Sequence, residues 1–203
     1  MTELLTTVFS VAIVVYSIIL HEVAHGYAAY VQGDETPNRA GRLTLNPLSH
    51  IDMVGSVIVP LFAFFTAGTF FGWAKPVPYN PYNIPSKIGQ AFVAAAGILM
   101  NLLLAFVAGI VLKTLITSGS ADMGIQSALF TIVAVNVSLA FFNLIPIPPF
   151  DGMSILQSLF PKLETRSRII YNPFYMVLAI IVASVLYGMF IPHIFSWLSG
   201  LFS

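Results

Sequence analysis

His21, Glu22 and His25 stand within five consecutive residues, HEVAH, and their spacing can do chemistry. On a helix, positions four apart share a face, so the two imidazoles can grip one ion. Glu22 sits beside the first ligand rather than on its face, where its carboxylate can reach past the metal and take a proton from water. That is the donor set of a zinc-activated hydrolytic site. The surrounding residues of this helix are Val, Ile, Leu, Ala and Tyr. A charged side chain in mid-membrane costs about 2.5 to 3.5 kcal/mol, so three ionisable groups in little more than a turn call for a compensating role. Mutual His–Glu hydrogen bonding in a bundle core is the plainer alternative.

A catalytic zinc site takes three protein ligands and leaves one position open. With no cysteine in the chain, the third ligand must be His or a carboxylate. Asp151 is the candidate, in Asn143-Leu-Ile-Pro-Ile-Pro-Pro-Phe-Asp-Gly152, where the prolines forbid regular helix and present the carboxylate from an extended turn. Alone, Asp-Gly at a helix end reads as a simple turn. HExxH upstream favours the metal.

The elements that must position these groups are membrane helices. Of 203 residues only 16 are charged, 58% are hydrophobic, and mean hydropathy is +0.90. Five apolar stretches run from Leu4 to Tyr30, Met53 to Trp73, Ile88 to Leu115, Ile125 to Ile145 and Phe174 to Leu198. Each reaches the roughly 20 residues a span requires. The first extends beyond the core of a signal peptide and lacks its basic flank, so it reads as a permanent segment. The connectors NPLSHIDMVG, WAKPVPYNPYN and NLIPIPPFDG read as turns and extended chain. The expected fold is all-α and polytopic, with about four transmembrane helices, a re-entrant or fifth hydrophobic segment, and short extended or β elements at the interface. Residues 1–203 read as one membrane-embedded unit. A net charge of zero without any basic cluster argues against nucleic acid as a partner.

These motifs resemble the site-2 protease family, whose hallmarks are HExxH on one membrane helix and Asn...Pro...Pro...Asp-Gly on another. A third family element, Gly-x-x-x-Asn, is matched by Gly97-Ile-Leu-Met-Asn101, with Ile98 where Pro often follows the glycine. GRLTLNPLSHID and FGWAKPVPYNP are also similar to the compact bacterial members, so the resemblance spans about residues 5 to 160. It implies one Zn2+ held by His21, His25 and Asp151, with Glu22 as acid/base. It further implies Asn143 as a stabiliser of the developing oxyanion and Asn101 as a polar contact on the substrate path. The substrates implied are transmembrane proteins or peptides, met in the bilayer of a bacterial or archaeal cell. A non-catalytic adaptor that binds transmembrane helices, or a metal or proton transporter, would use the same cluster differently.

Topology follows from the chemistry, because Asp151 must reach the depth of His21 and His25. If Met53 to Trp73 crossed fully, Asp151 would emerge about 30 Å from His25. If it enters and returns, the first and fourth segments run parallel and their functional ends meet. Arg39, Arg42, Lys75, Lys87, Lys162, Arg166 and Arg168 then share one face and Lys113 alone lies opposite, which puts the catalytic end toward the cytoplasm. His50 and Asp52 read as turn and interface hydrogen-bonding residues rather than ligands. KPVPYNPYN offers either an unpaired edge to substrate or a loop anchored by Trp73, Tyr79 and Tyr82. His193, beside Pro192, reads as a kink or interface residue.

Overall fold

The structure, a computed structural model, describes residues 2–59, 61, 65, 73–120, 122–163 and 173–202. Six α-helices are found among them: α1 (Thr2–Tyr30), α2 (Thr36–Arg39), α3 (Lys87–Thr117), α4 (Met123–Leu144), α5 (Asp151–Leu159) and α6 (Pro173–Phe202). Four contain apolar runs long enough to cross a membrane: Thr7–Tyr30, Lys87–Thr117, Met123–Leu144 and Val177–Gly200. This is a multi-pass membrane protein. Its starts are set locally: Ser86 caps α3 by accepting from the Gly89 amide, and Asp122 caps α4 by accepting from that of Ile125. Between α3 and α4 the chain reverses at Gly119, whose φ of +67° suits a residue without Cβ.

The central helix is α3, which packs on α1, α4, α5 and α6. Its buried stripe, Ala94, Gly97, Asn101, Ala105, Ala108 and Leu112, repeats every three or four residues and is mostly small. Small residues let helix backbones approach closely where lipid supplies no hydrophobic drive for association. Cross-helix contacts fix the directions. His21 meets Asn101 while His25 meets Val93, so α1 and α3 are antiparallel. Ser17 meets Asn136 while His25 meets Asp151, so α1 and α4 are parallel. On the flank, Tyr187 of α6 stacks on Phe142 of α4 and shares a hydrogen bond with Ser138. Pro192 lies within α6.

The chain from α1 to α3 begins and ends at one face of the bundle. Met53–Ile58 is a π-helical turn whose cap, Asp52, accepts from the Gly55 amide. Residues 60, 62–64 and 66–72, on which the span-or-return question falls, lie outside the described residues. Trp73 is back beside the entry: its N–H donates to Gly55 O at 3.0 Å, and its carbonyl accepts from Ser56 Oγ at 2.9 Å. The β elements expected at the interface are not found among the described residues: residues 73–80 are extended without pairing into a strand. The amides of Trp73, Lys75, Val77 and Asn80 go instead to single acceptors supplied by the neighbouring loops and by α1.

Candidate metal centre

The second half of α1 brings His21 and His25 to one face, as spacing by four requires. Asp151 arrives from the first residue of α5, after the Pro-rich turn that ends α4. Gly152 permits this approach, since a Cβ there would collide with the Leu144 and Ile145 carbonyls at the end of α4. His21 Nε2, His25 Nε2 and Asp151 Oδ2 form a near-equilateral triangle with sides of 3.1, 3.1 and 3.2 Å. Ligands about 2.0 to 2.1 Å from a tetrahedral zinc ion stand about 3.3 Å apart. The triangle has the size of one face of that tetrahedron.

Hydrogen bonds behind the imidazoles orient their ring nitrogens as metal ligands require. The Ile132 carbonyl can only accept, so Asn136 presents Nδ2 to it at 2.9 Å and to Ser17 Oγ at 3.0 Å. Asn136 Oδ1 therefore accepts from Asn101 Nδ2 at 2.8 Å, which leaves Asn101 Oδ1 to accept from His21 Nδ1 at 2.6 Å. His25 Nδ1 likewise donates to Val93 O at 2.7 Å. Both protons thus sit on Nδ1, and two Nε2 lone pairs face a carboxylate oxygen. Three acceptors at these distances repel one another until a cation joins them, and a metal ion can join all three at once. Gly97 completes the cradle: a Cβ at that position would run into both imidazole rings.

Glu22, half-buried, accepts at Oε2 from the Val77 N–H at 2.9 Å. Asn101, expected as a polar contact on the substrate path, is 0% exposed, and both ends of its amide are engaged behind His21. Asn143 lies in the last turn of α4, its amide donating to Leu139 O at 3.0 Å. His50 and Asp52 do serve the turns, His50 through Nε2 to Thr44 O at 2.8 Å. Sequence reasoning missed Asn136, Val77 and Asp34. Nothing in spacing pointed to Asn136, which meets Asn101 across two helices. Tyr79 packs beside Ala28, Ala29 and Val93, and burial, then the charges of Asp151 and Glu22, push its hydroxyl pKa up. It remains an O–H donor throughout the neutral range.

Residues 111–187 match Peptidase family M50. Three curated relatives each carry the name "Putative zinc metalloprotease". YwhC of Bacillus subtilis is 36% identical over 160 residues, covering 75% of this chain and 69% of that one. MJ0611 of Methanocaldococcus jannaschii is 31% identical over 155 residues, 76% and 72% of the two chains. Rip2 of Mycolicibacterium smegmatis is 28% identical over 144 residues, 70% and 53%. No solved structure gives a significant match. The chain belongs to peptidase family M50. It is a metalloprotease of the site-2 type, and its metal is zinc.

Proposed function

We propose that this protein hydrolyses peptide bonds in or near the transmembrane segments of membrane-protein substrates, as a protease of regulated intramembrane proteolysis. His21, His25 and Asp151 hold one Zn2+, and Glu22 is the acid/base. The observation that carries this reading is the depth of the donor triangle. His21 lies nine residues before Tyr30, where the first span ends. At about 1.5 Å per residue that is roughly 13 Å inside the apolar layer. A peptide bond brought there is already within the membrane.

Zinc supplies a Lewis acid that acidifies a water and polarises the scissile carbonyl. Glu22 takes the proton of that water and delivers it to the leaving amide nitrogen. Asn143 stabilises the developing oxyanion once its amide turns from Leu139 toward the reacting carbonyl. A helical substrate has its backbone groups paired internally, so it must unwind near the cut.

The connection between α1 and α3 returns to the face it leaves, which favours the re-entrant reading over a crossing. In support, the Trp73 amide bonds Gly55, the Lys75 amide bonds His50 O at 2.9 Å, and α1 and α3 are antiparallel neighbours. Arg39, Arg42, Lys75, Lys87 and Lys162 belong to segments at the catalytic end, and Lys113 to the far end of α3. Positive charge of this asymmetry favours a catalytic end facing the cytoplasm of a bacterial or archaeal cell.

The test is cleavage of a model transmembrane substrate by purified protein in detergent, with wild type, Glu22→Gln and a chelated sample compared and zinc quantified in each. About one zinc per chain and cleavage in wild type, with zinc but no cleavage in Glu22→Gln, is the expected result. Well-folded protein without zinc, or undiminished activity in Glu22→Gln, overturns it in favour of an adaptor or transporter.

A further inference from the structure

Residues 75–80 run across the second half of α1 and are tied down at both ends and in the middle. At one end the Lys75 N–H donates to His50 O at 2.9 Å, and the Lys75 carbonyl accepts from Arg42 Nη2 at 2.6 Å. At the other end the Asn80 N–H donates to Asp34 Oδ2 at 2.6 Å. In the middle lies Val77, between Pro76 and Pro78, which have no N–H. Val77 therefore carries the one amide hydrogen from residue 76 to 78, and it donates to Glu22 Oε2. Lys75, Val77 and Asn80 each precede a proline, which restricts all three to extended backbone. The segment is stiff by composition.

Asp34 is the stronger clamp. Gly33, at φ +100°, turns the chain at the end of α1 so that the Asp34 N–H bonds back to Ala29 O at 3.1 Å. The side chain is then buried under the helix end and accepts four hydrogen bonds. Oδ2 takes the Asn80 amide, and Oδ1 takes Asn83 Nδ2 at 2.7 Å, Thr36 Oγ1 at 2.6 Å and the Thr36 N–H at 3.2 Å. Its position ties the end of α1 to the end of the 75–80 segment. Gly26 clears the space between them, since a Cβ there would stand 2.6 Å from Val77 Cγ1.

We propose that residues 75–80 are a strap whose Val77 amide holds the Glu22 carboxylate in its working orientation, and that Asp34 is a positioning residue for peptide hydrolysis acting through that strap. The proposal rests on Glu22 being the acid/base. A carboxylate on a freely rotating side chain samples many orientations, and fixing one oxygen on a rigid N–H aims the other. Asp34 touches no reacting atom. Its contribution passes from Asn80 along the proline-stiffened chain to Val77.

The experiment compares zinc-loaded wild type, Asp34→Asn, Val77→Pro, the double variant and Arg39→Ala, whose exposed ion pair with Glu35 lies outside the strap. Zinc content, kcat and KM are measured on each, and hydrogen exchange of the Val77 amide on wild type, Asp34→Asn and Arg39→Ala, which keep that N–H. Asp34→Asn places an NH2 group against donors and should lower kcat on the order of 10- to 100-fold. KM should change less than about 3-fold, with zinc retained. Exchange at Val77 should accelerate, and Arg39→Ala should match wild type throughout. Because both residues act through one N–H, the double variant should be no more than about 3-fold worse than the weaker single variant. Should Asp34→Asn fail to fold, Val77→Pro leaves Asp34 intact and carries the same kcat expectation. Wild-type kcat in either folded variant, or losses that multiply in the double, overturns the strap. An active Glu22→Gln overturns instead the assignment of Glu22 on which it rests.

Discussion

The two halves of α1 share composition but not task. Val8, Phe9, Val11, Val14 and Val15 turn outward from the bundle, and in this half Ile13 alone among the described side chains is buried. From Ser17 onward the helix buries Ser17, Ile19, His21, His25, Ala28 and Ala29 against α3 and α4. Lipid contacts ask of a side chain that it be apolar and little else, whereas helix contacts ask for a particular volume and a particular donor or acceptor. One half of the helix is fixed by its solvent and the other by its neighbours.

Substitutions should therefore differ sharply between the halves. The harshest is made from the α3 side. Gly97→Leu puts a side chain where the two imidazoles stand, and zinc content and proteolysis should both fall below detection. Asn101→Ala removes the acceptor of the His21 Nδ1 proton and should weaken zinc affinity by about 10- to 100-fold, read by competition with a chelator. Asn136→Ala should give a smaller loss of the same kind, since it acts one hydrogen bond further back. Smaller still is the effect of acid on the helix end. The Asp34 carboxyl is held below its usual range because the hydrogen bonds from Thr36, Asn80 and Asn83 outweigh the burial that alone would raise it. A lowered folded-state pKa gives stability that is present above the unfolded value, about 3.9, and is lost as pH falls through the folded one. Thermal melts should thus lose stability below about pH 4, and Asp34→Asn should flatten that dependence. Val11→Ala, on the lipid-facing half, should move stability by no more than about 0.5 kcal/mol and leave cleavage unchanged. A large effect there would show that this face has a protein neighbour.

How far the sequence could be read depends on the same division. HEVAH was legible because four residues of helix place two side chains on one face whatever surrounds them. Asp151 was legible because the prolines before it leave the chain few conformations. Apolar length alone gave five stretches, and four of them hold the long helices of the described residues. Asn101 was visible as a polar residue in an apolar helix, yet its hydrogen bonds were not, because the partner that orients it, Asn136, lies 35 residues away on α4. Val77 could not be found from side-chain chemistry, since what it contributes is a backbone N–H. Asp34 looked like any acidic residue in a turn, and its burial becomes apparent only when Asn80 and Asn83 fold back over it.

The absent side chain at Gly97 ties two equilibria together. The imidazoles fill the space that Gly97 leaves between α1 and α3 and bond to Asn101 and Val93 of α3, so the contact between these helices is made partly through the metal centre. Anything that binds the folded state alone adds RT ln(1 + [L]/Kd) to its stability. An ion bound there is therefore also a fastener of the bundle, and the free zinc available to the site sets how much folded protein there is as well as what fraction of it is loaded.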